Sequence, residues 1–339
     1  MLIEKDIDSL LTSGFTFNEF DDSRITILGG TGFVGQWLVQ ALNQFSLNFG
    51  FSPQITIITR NARNAQKLFI DKLRIKLRVS EFDFAISTTE LEKSDFFING
   101  ATPSVAKTGI HNSEAVFAST VNASHSIIRS AKKYRNMPRV VNLSSGIVYG
   151  PQPLSEINQS ERPISINSNS QSGYLNAKIA SELVFSEASD IGLVNSISPR
   201  LFAFAGPGIA LDEHFAVGNF LCNGLQGKEV VVKGNPSTVR SYMYPTDLAT
   251  WVLNALINPK DGDFNIGSEF PVRIYDLAHQ ISELTSRKGV RVLGDDQIAS
   301  NYVPSTSAFR KEFGVTEQVT LSDGLERWIK WNLQEGLLN

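Results

Sequence analysis

Arg24-Ile-Thr-Ile-Leu28-Gly29-Gly-Thr-Gly-Phe-Val-Gly35 carries a β-branched run straight into a cluster of glycines, and the architecture follows from that junction. A short apolar run rich in β-branched residues reads as a buried strand, and the glycines end it. Beyond them Val34, Leu38, Leu42 and Phe45 recur at helical spacing. The unit is strand, glycine turn, helix. The alternation continues with a strand at 55–59, a helix at about 62–73, a strand at 96–99 and a helix at about 113–133. A strand at 139–143, a helix from 174 to about 188 and a strand at 194–198 complete the series. Strands alternating with helices of that length imply βαβ crossovers, hence a parallel sheet covered on both faces. The expected fold class is α/β, a doubly wound parallel sheet with a smaller α/β lobe.

The rhythm loosens after residue 200, with Gly206-Pro-Gly208, a helical segment near 214–225 and a hairpin-like stretch at 229–233. Residues 1–200 are expected to form an N-terminal arm and the sheet domain, to which the chain returns at about 241–268. Residues 201–240 and 269–339 are expected to form the substrate-binding lobe. In the arm, residues 1–23, the apolar Leu10, Leu11, Phe15 and Phe17 are positioned to pack on the body. No internal repeat is present, and only the polar stretch 158–172 is low in complexity.

Composition excludes several classes. Hydrophobic residues at 42% and charged ones at 19% are ordinary for a globular chain, and no apolar run approaches the ~18–20 residues of a membrane span. The first fifteen residues carry acids among their apolar positions, unlike a secretory signal, so the expected location is cytoplasmic. The lone Cys222 forms no internal disulfide framework or multi-thiolate metal site, which fits a reducing compartment. His111, His125, His214 and His279 show no metal-ligand spacing, so no metal is expected. A net charge of −3 gives no electrostatic footprint for nucleic acid.

Gly29, Gly32 and Gly35 serve three needs of a dinucleotide turn: unusual backbone angles, close approach of a pyrophosphate to N–H groups, and tight packing of helix on strand. Thr31, Phe33 and Val34 lie in the same turn, at a helix N-terminus whose unpaired N–H groups favour phosphate. At the end of the second strand, where an acid would hold the adenosine ribose, the chain reads Thr59-Arg60-Asn61-Ala62-Arg63. Two guanidinium groups and no carboxylate favour NADP over NAD, because an arginine fork matches a 2′-phosphate.

Tyr174 and Lys178 stand four residues apart, on one face of one helix. A nearby cation can lower a phenol's pKa from ~10 by ~1–3 units, enough to make a proton acceptor. Ser144-Ser145 end the strand at 139–143, at the carboxyl edge of the sheet where ligands of such folds bind. A serine hydroxyl there can hold a substrate oxygen while the phenol exchanges its proton.

With those pieces in place the chain resembles the extended short-chain dehydrogenases/reductases, specifically the nucleotide-sugar epimerase/dehydratase family with its Rossmann-type sheet. The likeness rests on residues 29–35, Asn99-Gly-Ala-Thr102, Asn122, Ser144-Ser-Gly-Ile-Val-Tyr-Gly150, the Tyr174/Lys178 pair, Ser198-Pro-Arg200 with Gly206-Pro207, and Arg240-Ser-Tyr-Met-Tyr-Pro-Thr-Asp247. It implies that Ser145, Tyr174 and Lys178 are catalytic, that Ala101 and Thr102 line the nicotinamide ribose, and that Ser144, Tyr174 and Lys178 touch the cofactor. It implies further that Asn122 braces its helix and a proton relay, that Arg240 meets the diphosphate of a nucleotide sugar, and that Asp247 is structural. Relatives often dimerise through the helices corresponding to 113–133 and the one beginning at Tyr174, so a homodimer is expected.

Two departures from the family pattern narrow the activity. Dehydratases that resemble the thymidine-diphosphoglucose type carry two acids right after the serine or threonine, and the decarboxylases tend to carry a glutamate there. This chain has Gly146 and Ile147. A C4 epimerase or 4-keto-sugar reductase needs only serine, tyrosine, lysine and cofactor, and is favoured. A dehydratase with acids from elsewhere, a reductase of a non-nucleotide carbonyl compound, and a non-catalytic dinucleotide sensor are the alternatives. Where many relatives have a substrate-touching asparagine this chain has Ala203, leaving Asn219 or His214 as substitutes.

Overall fold

The computed structural model describes residues 4–12, 14, 17–69, 73–103, 113–150, 172–211, 215–294 and 299–335. The first half runs α1 (Glu4–Leu11), β1 (Arg24–Leu28), α2 (Phe33–Phe49), β2 (Gln54–Thr59), α3 (Ala62–Phe69), β3 (Lys76–Glu81) and β4 (Phe96–Asn99). It continues with α4 (Ser113–Tyr134), β5 (Arg139–Asn142), β6 (Ser144–Ser145), α5 (Ser172–Asp190) and β7 (Asn195–Ile197). Six strands pair in parallel in the order β3-β2-β1-β4-β5-β7. Chain order reverses between β1 and β4, which opens the crevice where doubly wound sheets bind ligands.

Both faces of the sheet are covered. On one, Ile25 and Ile27 pack with Trp37, Leu38 and Leu42 of α2 and with Trp251; on the other, Leu28, Phe97 and Val140 pack with Ile127 of α4 and Phe185 of α5. Near-continuous apolar strands are what a two-faced parallel sheet requires. β3 is the strand that sequence periodicity passes over. Its Lys76-Leu-Arg-Val-Ser-Glu81 alternates charge with apolar residues because it is an edge strand, where charge blunts pairing with other chains. The helix expected to reach 73 has α3 ending at Phe69, and residues 70–72 lie outside the described residues.

The second half runs β8 (Arg200–Leu201), α6 (Ala216–Leu225), β9 (Val230–Val232), β10 (Val239–Arg240), α7 (Pro245–Ile257), β11 (Asn265–Ile266) and β12 (Val272–Arg273). Then come α8 (Ile274–Leu284), β13 (Val290–Val292), β14 (Asn301–Tyr302), α9 (Ser307–Phe313) and α10 (Leu321–Glu335). The stretch expected as hairpin-like is no hairpin: β9 pairs in parallel with β13, far downstream. Val217, Phe220 and Leu221 of α6, Val230 and Val232 of β9, Leu277 and Ile281 of α8, and Trp328 form a separate apolar cluster. Phe309 and Phe313 instead join the cluster beneath the sheet, with Phe309 stacked on Trp251 of α7 at 5.3 Å.

The arm is seated on the body. Leu10 and Phe17 are buried and Leu11 packs beside them, while Phe15 lies outside the described residues. Asp6, fully buried, pairs with Arg327 of α10 at 3.2 Å, and the same guanidinium donates to the Lys5 carbonyl and the Ser9 hydroxyl.

Candidate active site

A cavity of about 1320 Å³ runs from the end of β2, across the mouth between β1 and β4, into the lobe. Gly29, Thr31, Gly32, Phe33, Val34 and Gly35 line it, as do Arg60, Ala101, Thr102, Ser144, Ser145, Tyr174, Lys178, Asn219 and Arg240. Of the residues expected at a ligand, only Arg63 is not among its walls; it stands exposed on α3. His214 lies outside the described residues.

The glycine turn has the shape that a pyrophosphate needs. Gly29 has φ +82°, and a Cβ there would meet the Gly100 carbonyl oxygen at 2.4 Å; one at Gly35 would meet the Gly30 Cα at 2.6 Å. At Gly32 an added carbon meets nothing of the protein nearer than 3.3 Å, so its bareness leaves open surface at the N-terminus of α2. That cradle fits a dinucleotide. Thr31 and Thr59 join their hydroxyls at 2.9 Å beneath it. Arg60 borders the cavity beyond β2, and the Glu81 carboxylate of the neighbouring β3 accepts the Ala62 N–H at 2.8 Å, capping α3.

At the middle of the cavity β6 presents Ser145 and α5 presents Tyr174 and Lys178. The Lys178 ammonium is buried, donates to Thr102 Oγ1 at 2.9 Å and to the Leu143 carbonyl at 2.6 Å, and lies 5.6 Å from the Tyr174 ring centroid. Burial pulls Lys178 down to about 8, against the opposing pull of Glu182 one turn along α5. The Tyr174 phenol is pushed up, not down: its burial outweighs its hydrogen bond to Ser145. Among the chain's own groups the lysine therefore does not lower the phenol as its spacing suggested, because the ammonium is directed to Thr102 and Leu143.

Ser144 also lines the cavity, but its hydroxyl bonds the Glu182 carboxylate. Glu182 in turn grips the buried Arg200 through both oxygens, at 2.9 and 3.1 Å, and Arg200 reaches Tyr149 at 3.0 Å. Asn122 braces a different place from the expected relay, since its amide donates to the Phe84 carbonyl at 2.8 Å, beside the β2 end of the cavity. Asp247 is structural, accepting the backbone N–H groups of Gln318 and Val319 at 3.0–3.1 Å.

At the lobe end Arg240 of β10 is held by the Val239 and Ser300 carbonyls at 2.7 and 3.1 Å and by the Ser300 hydroxyl at 3.1 Å. Parallel pairing of β10 with β14 sets Tyr302 opposite Arg240, with the guanidinium 6.0 Å from the Tyr302 ring centroid. Tyr302 lines the cavity, as Ser145 does. The sequence offered no sign of it, because a single tyrosine in Asn301-Tyr-Val-Pro304 belongs to no local pattern. Phe202 packs against Tyr302 in a tilted arrangement, with ring centroids 4.6 Å apart, and also covers Gly146, where a Cβ would meet its ring at 2.6 Å.

The sequence profile of the NAD dependent epimerase/dehydratase family matches residues 25–267. The chain belongs to that family. As a family member it is an NAD-dependent enzyme of the extended short-chain dehydrogenase/reductase type, as the resemblance implied. UDP-glucuronic acid decarboxylase 3 of Arabidopsis thaliana is 24% identical over 311 residues, 89% of this chain and 86% of that protein. The UDP-N-acetylglucosamine 4-epimerase of Methanobrevibacter ruminantium, solved with UDP-N-acetylmuramic acid, superposes with a TM-score of 0.80 at 18% identity, over 93% of this chain and 99% of that one. The dTDP-glucose 4,6-dehydratase of Streptomyces venezuelae, solved with NAD, superposes at 0.76 and 21% identity, over 92% and 97%. These superpositions agree with the doubly wound sheet. Among the described residues no helix is long and apolar enough to cross a membrane, and no group of His, Cys, Asp or Glu could hold a metal.

Proposed function

We propose that this enzyme exchanges a hydride at C4 of a sugar carried on a nucleoside diphosphate, as a 4-epimerase or a 4-keto-sugar reductase. The observation that carries the reading is the position of Ser145, Tyr174 and Lys178 midway along one cavity, between the glycine turn and Arg240. When bound, the nicotinamide accepts or returns the C4 hydride. Tyr174 takes the proton of the C4 hydroxyl or gives it back to the ketone, Ser145 orients that oxygen, and Lys178 keeps a positive charge beside the phenol. Arg240 supplies the cation for the diphosphate, and Asn219 faces the same lobe; the lobe comprises residues 201–240 and 269–339. Epimerase or reductase chemistry is preferred to dehydration or decarboxylation because Gly146 and Ile147 bring no carboxylate, and Phe202 fills the room a side chain at 146 would need. Among the described residues, no Asp or Glu lines the cavity.

The finer assignments follow from single features. NADP is preferred to NAD because Arg60 borders the cavity at the end of β2; tighter binding of NAD in a direct titration, or a preference that survives Arg60→Ala, overturns this. A homodimer through α4 and α5 is supported by their packing side by side and by exposed Phe117 and Leu183 on them. Light scattering at micromolar concentration reads it, and Leu183→Glu should give monomers. The unpaired Cys222 supports a cytoplasmic setting.

A panel of nucleotide sugars, screened for thermal stabilisation with the dinucleotide present, tests the main reading. Ligand at ~100 times its dissociation constant adds ~2.7 kcal/mol, a readily measured shift. Deuterium placed at C4 of the stabilising compound should then pass to the nicotinamide. Stabilisation by a non-nucleotide carbonyl compound alone, or exchange confined to C5, overturns it.

A further inference from the structure

We propose that Thr102 is a positioning residue whose hydroxyl, together with the Leu143 carbonyl, fixes the Lys178 ammonium at the middle of the cavity. The inference rests on the reading of Lys178 as the cation that serves the phenol and the dinucleotide.

A lysine ends in a compact charge on a flexible four-carbon stem, so what accepts from it decides where the charge sits. Its ammonium has three protons to donate and no lone pair to accept with. Two of the three are accounted for within the chain, by Thr102 Oγ1 at 2.9 Å and the Leu143 carbonyl at 2.6 Å. These acceptors follow the neighbouring strands β4 and β5, and stand 76 and 35 positions from the lysine. Lys178 is buried and is also a wall of the cavity, which leaves its third N–H for a ligand there. A backbone carbonyl is present whatever residue stands at 143. The hydroxyl at 102 depends on the side chain, and an apolar residue there takes an acceptor from a buried cation, a larger loss than that of an ordinary hydrogen bond.

Thr102 is itself held. The buried Thr120 hydroxyl of α4 meets Thr102 Oγ1 at 3.0 Å, and the Ser119 hydroxyl donates to the Ala101 carbonyl at 2.8 Å. Tyr174 and Glu182 flank the lysine on α5, and Glu182 is gripped by Ser144 and by Arg200 of β8. Arg240, Tyr242 and Tyr302 line the lobe end of the same cavity. α4, packed along α5, carries its titratable groups Glu114, His125, Arg129, Lys132 and Lys133 at exposed positions and Tyr134 at its last residue. Arg139 of β5 lies over Phe96, at the opposite end of that strand from Leu143. Burial pulls Lys178 down to about 8, and Glu182 is the charge that opposes it. Hydrogen bonding to the charged form favours that form, so removing the Thr102 oxygen lets burial pull the lysine lower still.

NMR of protein isotope-labelled at the lysine ε-carbons follows this titration without a known substrate, and the signal absent from Lys178→Met identifies Lys178. Thr102→Val keeps the shape of the side chain and drops its hydroxyl. Its Lys178 midpoint should lie about one pH unit below that of the wild type, a tenfold stronger acid. Thr102→Ser restores the acceptor and should restore the midpoint. Thr102→Ala is the second hydroxyl-free variant, and it adds no atom that disturbs the fold. In a dinucleotide titration Thr102→Val should bind several-fold more weakly, whereas adding it to Lys178→Met should change nothing more. An unmoved Lys178 midpoint in the hydroxyl-free variants overturns the proposal. So does a loss of affinity that persists on top of Lys178→Met, which makes Thr102 a direct contact of the dinucleotide. Dinucleotide affinity and turnover both at wild-type levels in Lys178→Met sink the assignment of Lys178 itself, a separate failure that the shift of the midpoint does not share.

Discussion

The two ends of the cavity are made of different material. The dinucleotide end is mostly backbone: a turn whose glycines clear space between β1, β4 and α2, and the open N-terminus of a helix. The lobe end is mostly side chains, Arg240, Tyr302 and Asn219, delivered by short strands and a helix from well separated parts of the chain. A site of backbone tolerates almost no change where a Cβ would enter, yet any ligand with a pyrophosphate can use it. A site of side chains can be rewritten one residue at a time.

The meeting point of the two ends should show the largest effect. Tyr174→Phe removes one oxygen, and turnover should fall by ~100–10,000-fold, the usual cost of a lost general acid/base, with dinucleotide affinity near wild type. Steady-state kinetics beside a binding titration checks both halves. Next comes the backbone end, where Gly29→Ala adds a single carbon against the Gly100 carbonyl at a φ of +82°. Strain of that kind costs ~1–3 kcal/mol, and the carbon also displaces the turn, so both denaturant midpoint and dinucleotide affinity should drop. A Gly29→Ala protein that binds cofactor normally would remove the distinction between the two ends.

At the lobe end, Arg240→Ala should raise KM for the nucleotide sugar by ~10–100-fold, the ~1.5–3 kcal/mol of a hydrogen bond to a charged group. Dinucleotide affinity should not follow. If it does, the ends are coupled and the contrast fails. The smallest effect lies outside the cavity, at Glu317, which burial pushes up to about 8 from an ordinary 4.5. A raised carboxyl contributes stability that is fully present below pH 4.5 and is lost as pH rises through about 8. Glu317→Gln mimics the neutral form, so it should be close to neutral at pH 5 and stabilising at pH 9. Denaturation at the two pH values reads the difference, and an equal effect at both would assign Glu317 a different role.

The same division explains what the sequence made legible. Residues 24–35 announce strand, turn and helix because backbone needs are local: β-branched run, glycine, helical spacing. Tyr174 and Lys178 were readable for the same reason, being one helical turn apart. β3 was not, since an edge strand must carry charge, and the β9–β13 pairing was not, because nothing local marks a parallel partner across α8. Tyr302 stayed hidden because its place in the cavity comes from pairing beside Arg240, a contact that no spacing encodes. Burial raises the Tyr174 phenol where the spacing suggested a lowered one, since spacing gives proximity to Lys178 but neither burial nor where the ammonium points.

The clasp between Asp6 and Arg327 bears on how the chain is born. Its partners are 321 positions apart, and Asp6 sits with none of its surface in water. A carboxylate left in such a place without its cation is strongly unfavourable. While a ribosome is still making the chain, Asp6 therefore has reason to stay outside until α10 emerges. At ~5–20 residues per second that interval is roughly 15–65 s, during which Leu10 and Phe17 lack the clasp that holds their segment down. α1 is thus made long before the helix that clasps it, and a ribosome-stalled chain ending before residue 327 should expose it to proteases that the folded protein resists.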